Sequence, residues 1–136
     1  ALVLGLWHGA ESLAAHPDYL PYFNQTVRGH AEDFLLDSNL DWGQDLERLR
    51  RFLEQERIDT VYLSFFGRGY PIRQRIPGTR PLEPQDRPAG WVAVSQAHLA
   101  GLALSGPSFA WLKSHQPRVQ IGKSILVYYF PKSPAR

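Results

Sequence analysis

Four short apolar runs restrict this chain more than any other feature: "FLL" at 34–36, "TVYLSFF" at 60–66, "WVAVS" at 91–95 and "SILVYYF" at 124–130. Each is bounded by turn residues, is too short for a helix and is rich in β-branched and aromatic side chains. None alternates strictly between apolar and polar residues, so they read as strands covered on both faces, and sheets of that kind are mostly parallel. Between the first two runs the spacing predicts a helix over 42–56. Its apolar stripe is Trp42, Leu46, Leu49 and Phe52 or Leu53, with Glu47/Arg51 and Arg50/Glu54 pairs on other faces. Strand, helix and strand then make a right-handed βαβ unit. The expected fold is a small three-layer α/β sandwich, with a mostly parallel sheet of about four or five strands and flanking helices.

The chain of 136 residues suits one domain spanning 1–136, long enough to bury about two-thirds of the surface its unfolded form exposes. Hydrophobic residues at 43% and charged residues at 21% argue against wholesale disorder. A formal charge of +2 is too mild to require nucleic acid, and no nucleic-acid module is recognisable. Cys is absent, which excludes disulfides and thiolate metal sites and leaves the compartment open.

With Ala1 first and no Met in the sequence, the expectation is a processed chain or a domain of a longer protein. "ALVLGLW" is apolar for seven residues before His8 and Glu11 interrupt it, far short of the roughly 20 that a membrane helix needs. It has no basic region ahead of it, as a signal peptide would. Two readings stay open over 2–15: an amphipathic helix ended by Pro17, or the last turns of a membrane helix.

Further along, "SQAHLAGLALSG" suits a short helix with Gly106 beyond its end. A second helix over 107–115 starts on Pro107, packs Phe109, Trp111 and Leu112, and stops before Pro117. Residues 67–89 differ in kind. Prolines at 71, 77, 81, 84 and 88 and arginines at 68, 73, 75, 80 and 87 predict a long, irregular, basic loop. Loops of that length inside a compact domain are usually functional or mobile.

The chemistry concentrates in "LLDSNLDWGQDLERL", residues 35–49. Asp41 stands where a helix N-cap belongs, with Gln44 three residues later completing a capping-box pattern. Asp45 in the first turn suits the helix dipole. Asp37 and Asn39 lie beyond the carboxyl end of a strand, where open α/β sheets bind ligands. Asp37, Asn39, Asp41, Trp42 and Gln44 are therefore candidate ligand-binding residues, joined by Arg68 and Tyr70 from "GRGY". The arginines can grip a phosphate bidentately, whereas the glycines of a full phosphate loop are missing.

Asp37, Asn39 and Asp41 match the opening of a calcium loop, but glycine falls one place late at Gly43 and the closing position is Arg48, so this is not an EF-hand. The five histidines, His8, His16, His30, His98 and His115, lack metal-ligand spacing and read as surface or capping residues. No metal, no cofactor and no catalytic residue is expected. Tyr19, Tyr22, Phe23, Trp42, Tyr70 and Trp91 can offer faces to a sugar or simply fill a core.

"HPDYLPYFNQ" (16–25), "LLDSNLDWGQDLERLRRFL" (35–53), "VYLSFFG" (61–67), "GWVAVS" (90–95) and "IGKSILVYYF" (121–130) occur in that order. Together they resemble the soluble C-terminal region of bacterial membrane glycosyltransferases related to dolichyl-phosphate-mannose–protein mannosyltransferases. The likeness spans nearly the whole chain, and "DSNLDWGQDL" is its most specific piece. It implies a non-catalytic accessory domain on the extracytoplasmic side of the cytoplasmic membrane, attached to a membrane-embedded remainder of the parent protein that carries the catalytic acids. The implied partners are a polyprenyl-phosphate sugar or a glycan acceptor. Two segments depart from the pattern: "QTVRGHAEDF" lacks a "GGP" turn and "RGYPIRQ" lacks a "TADP" type of sequence, so the resemblance carries no ligand role onto either. The alternative from the residues alone is an independent binding protein or small enzyme for a phosphorylated sugar or metabolite.

Overall fold

The computed structural model describes residues 2–16, 43–66, 76–102 and 107–132. Helix α1 spans Leu2–Ala15 and helix α2 spans Leu46–Gln55. Strands β1 (Val61–Ser64), β2 (Thr79–Pro81) and β3 (Gly90–Ser95) follow, then a single-turn helix α3 (Gln96–Leu99) and a 3₁₀ helix at Ala110–Ser114. Strands β4 (Val119–Ile121) and β5 (Ile125–Phe130) complete the order.

The five strands form one mixed sheet in the order β2-β1-β3-β5-β4. Strand β1 is parallel to both of its neighbours, and β5 is antiparallel to both of its own. The expected α/β class holds, with parallel pairing gathered on one side.

Successive residues of the central strands enter opposite cores, which is why their sequences are apolar without alternation. On one face Leu46, Leu49 and Leu53 of α2 pack on Val61, Leu63, Ala93, Ile125 and Val127. On the other, Val92, Val94 and Tyr128 meet Phe109 and Leu112 from the 3₁₀ helix and the turn before it. Burying each large side chain of this kind contributes about 1.5–3 kcal/mol, so α2 is held mainly through its leucine stripe. The predicted surface pairs form as well, Arg51 with Glu47 at 3.1 Å and Arg50 with Glu54 at 2.5 Å. Such exposed pairs contribute little.

Several elements differ from the sequence reading. Helix α2 starts at Leu46 with Asp45 in the N-cap position, where the pattern predicts Asp41. Residues before it form a turn closed by Leu46 N–H donating to the Gly43 carbonyl at 3.2 Å. The predicted helix over 107–115 is a 3₁₀ turn. Phe109 and Leu112, three residues apart, line up in that geometry and both become buried. The predicted helix after Ser95 ends earlier than Gly106, at Leu99, with Gly101 beyond it at a positive φ. Within the predicted loop 67–89 lies β2, and β4 is likewise unanticipated. Both are three-residue edge strands, and Pro81 is tolerated in β2 because it sits on an edge. The run at 34–36, and with it the predicted βαβ unit, lies outside the described residues.

Helix α2 closes in a Schellman turn. Ile58 N–H donates to the Leu53 carbonyl at 2.8 Å and Arg57 N–H to the Glu54 carbonyl at 3.2 Å. Arg57 occupies the left-handed position with φ 55°, which favours glycine. Arg57→Gly should therefore raise stability by about 0.5–1 kcal/mol. The measurement is the urea midpoint at unchanged slope, and an unchanged or lower midpoint would contradict it.

Candidate functional site at the carboxyl edge of the sheet

Of the residues singled out as ligand-directed, Asp37, Asn39, Asp41, Trp42, Arg68 and Tyr70 lie outside the described residues. Gly43, Gln44 and Asp45 carry the described end of the signature stretch to the carboxyl edge of β1. Gly43 approaches Phe65 so closely that a Cβ there would stand 3.2 Å from the Phe65 ring.

Asp45 does not act through the helix dipole alone. Its side chain makes no capping bond and is 1% exposed. Oδ2 accepts from Lys123 N–H at 3.0 Å, Ser124 N–H at 3.0 Å and the Ser124 hydroxyl at 2.9 Å. Oδ1 accepts from Arg48 at 2.8 Å. The turn between β4 and β5 thus cradles a carboxylate supplied by the protein itself. Gly122, at φ 57°, leaves the room: a Cβ there would collide with the Asp45 carboxyl group. Fully engaged in this way, Asp45 is a structural anion and is not available to a ligand.

The carboxyl ends of β1 and β3 are tied by a second polar group. Ser95, the last residue of β3, is fully buried, and its hydroxyl accepts from Phe66 N–H at 3.2 Å and His98 N–H at 3.3 Å. It thereby caps α3 and fixes the exit of β1. The His98 ring lies between Phe109, stacked at 6.4 Å, and the edge of Phe66 at 6.1 Å. Its Nδ1 is 2.9 Å from the Ser64 hydroxyl. Burial holds the His98 imidazole below its ordinary range, so the ring is neutral near pH 7.

A serine beside a neutral histidine has the first two parts of a nucleophile–base pair. The rest is absent among the described residues: no carboxylate orients His98, and the nearby Phe66 and His98 backbone N–H groups are already given to Ser95. The pair closes the described part of the sheet edge, and no uncommitted oxyanion donor stands beside it among the described residues. His98 was expected as a surface or capping residue, and the signal for its role was a serine within one apolar run and at the end of another, which become the last residues of β1 and β3.

Trp91, one of the rings considered for sugar contact, packs against Phe52 at 6.2 Å and Tyr129 at 5.0 Å and serves the core. No group of three or more metal-ligating side chains occurs among the described residues.

Asp45→Ala should cost about 3 kcal/mol, because it leaves the buried donors of Lys123 and Ser124 unpaired. Gly122→Ala should cost a similar amount by the same loss. In a double-mutant cycle the pair should cost clearly less than the sum, and full additivity would separate the two residues.

His98 gives a pH signature. Its folded-state pKa lies below the unfolded value of about 6.5, so below that pH the unfolded chain binds the extra proton and stability falls. His98→Gln, which can keep a hydrogen bond to Ser64, should flatten this fall in urea unfolding between about pH 8 and pH 5. An unaltered slope would assign the pH dependence elsewhere. Compared with known proteins, the chain matches no family model, no curated protein and no solved structure.

Proposed function

We propose that this chain is a non-catalytic, extracytoplasmic accessory domain of a polyprenyl-phosphate-sugar-dependent membrane glycosyltransferase, seated against the membrane and contacting the acceptor or the lipid-linked donor. The observation that carries the reading is α1. Its first two turns are apolar on every side, with Leu2 81%, Val3 75%, Leu4 68%, Leu6 68% and Trp7 55% exposed. A helix that packs on its own domain shows an apolar stripe, whereas one apolar all round needs an apolar environment all round. At 14 residues α1 is about 21 Å long by its rise per residue. No helix among the described residues is long and apolar enough to cross a membrane.

The carboxyl edge supports the non-catalytic part of the reading, since among the described residues the Ser64–His98 pair lacks the partners a nucleophile needs. The resemblance carried by "DSNLDWGQDL" supplies the parent class.

The test is flotation of the purified chain with phosphatidylcholine vesicles containing a polyprenyl phosphate, beside an assay for sugar transfer. The chain should float, and Leu6→Glu with Trp7→Glu should lower partitioning at least about tenfold, since each buried side chain of this size is worth roughly 1.5–3 kcal/mol. No sugar should be transferred by the chain alone. Transfer by the purified chain, or a chain that stays with the soluble fraction, would overturn the proposal.

A further inference from the structure

At the opposite edge of the sheet, where β3 begins and β5 ends, an open cleft of about 390 Å³ is walled by Arg87, Pro88, Trp111, His115, Phe130 and Pro131. Three rings meet there: Trp111 and Phe130 at 5.4 Å, His115 and Phe130 at 5.2 Å, Trp111 and His115 at 5.9 Å. The Arg87 guanidinium lies over the Trp111 ring, 4.2 Å from its centre. Its Nη1 donates to the Pro84 carbonyl at 3.0 Å and the Asp86 carbonyl at 2.7 Å. Both hydrogens of Nη1 are thereby used.

The Nε and Nη2 edge of Arg87 has no hydrogen-bond partner among the described residues. That edge is the fork that takes a carboxylate or phosphate bidentately, and stacking on Trp111 with two backbone anchors pre-organises it. Two further polar atoms of the cleft residues bear on a ligand. The Trp111 indole N–H is buried without a partner. The His115 Nδ1 donates to the Trp111 carbonyl at 3.0 Å, so Nε2 is the ring's remaining polar atom and can accept from a phosphate hydroxyl. A cleft of this volume with aromatic walls and a few polar groups is the ordinary form of a small-ligand site.

We infer that this cleft binds a phosphate ester with an apolar substituent, Arg87 holding the phosphate through its Nε and Nη2 edge and the Trp111, His115 and Phe130 rings receiving the apolar part. In supplying a contact for a lipid-linked donor the site rests on the function proposed above. The chemistry of the cleft stands apart from α1.

The test follows the Trp111 indole resonance in ¹H–¹⁵N spectra of the full chain, identified by its loss in Trp111→Phe. Hexyl phosphate should shift it saturably and bind more tightly than inorganic phosphate, while hexanol should leave it in place. Arg87→Lys keeps the charge and loses the fork, and should weaken hexyl phosphate binding roughly ten- to a hundredfold with the spectrum otherwise unchanged. An equal shift with hexanol, or equal affinity in Arg87→Lys, would overturn the inference. The Leu6→Glu, Trp7→Glu variant should bind hexyl phosphate as the parent chain does, which separates failure of the membrane reading from failure of the cleft. Vesicles with and without polyprenyl phosphate then distinguish the source: a shift specific to the lipid supports the donor contact, and a shift with hexyl phosphate alone supports the cleft as a site for soluble esters.

Discussion

A carboxylate with 1% exposure cannot stand in a core without partners, and Asp45 has four donors to its two oxygens. Three come from the turn between β4 and β5, nearly 80 residues away in sequence. This contact sets the position of α2 along the sheet at the residue that precedes it. The leucine stripe that follows is apolar and non-directional, so it supplies energy without specifying register. A buried charge held by backbone donors is directional and tolerates no slip. The positive φ of Gly122 and the start of α2 at Leu46 both follow from placing that carboxyl group inside the turn.

The parallel side of the sheet has a related arrangement. Strands β1 and β3 end side by side, and the buried Ser95 hydroxyl collects backbone N–H groups from Phe66 and from α3. His98 then closes over Ser64 and is itself covered by Phe109 and Phe66. Among the described residues, polar groups that an open α/β sheet usually leaves for a ligand at this edge are spent within the protein. The neutral state of His98 has the same origin as the fit of its ring: the apolar neighbours that hold it in place also disfavour its charge.

How far these features could be read from the residues depends on their range. The three long runs at 60–66, 91–95 and 124–130 became β1, β3 and β5, because two-sided burial imposes a composition visible in any window. The stripe Leu46, Leu49 and Leu53 was visible for the same reason. Strands β2 and β4 were hidden since three residues on a sheet edge need no distinctive composition, and Pro81 argues against a strand anywhere else. Asp41 and Gln44 match a capping box by spacing alone, yet the helix starts at Leu46 after Asp45, three of whose four donors lie far along the chain. Tertiary bonding overrode a local pattern there. Likewise nothing local in "QDRPAGW" links Arg87 to Trp111, so the cleft at the other edge had no signal in sequence.

These placements bear on where a ligand can be received. At the carboxyl edge the described groups of Asp45, Ser95, Ser64 and His98 already make their hydrogen bonds, and a ligand displacing them would break buried ones at about 1–3 kcal/mol for each group left unpaired. The edge where β3 begins offers the reverse: a guanidinium fixed by two carbonyls with its fork unengaged, and an indole N–H buried with no acceptor. In the site inferred above, an oxyanion held by the Arg87 fork would displace none of the described hydrogen bonds. Among the described residues the unengaged polar groups therefore gather where β3 begins, while Asp45 anchors the start of α2 to the turn between β4 and β5.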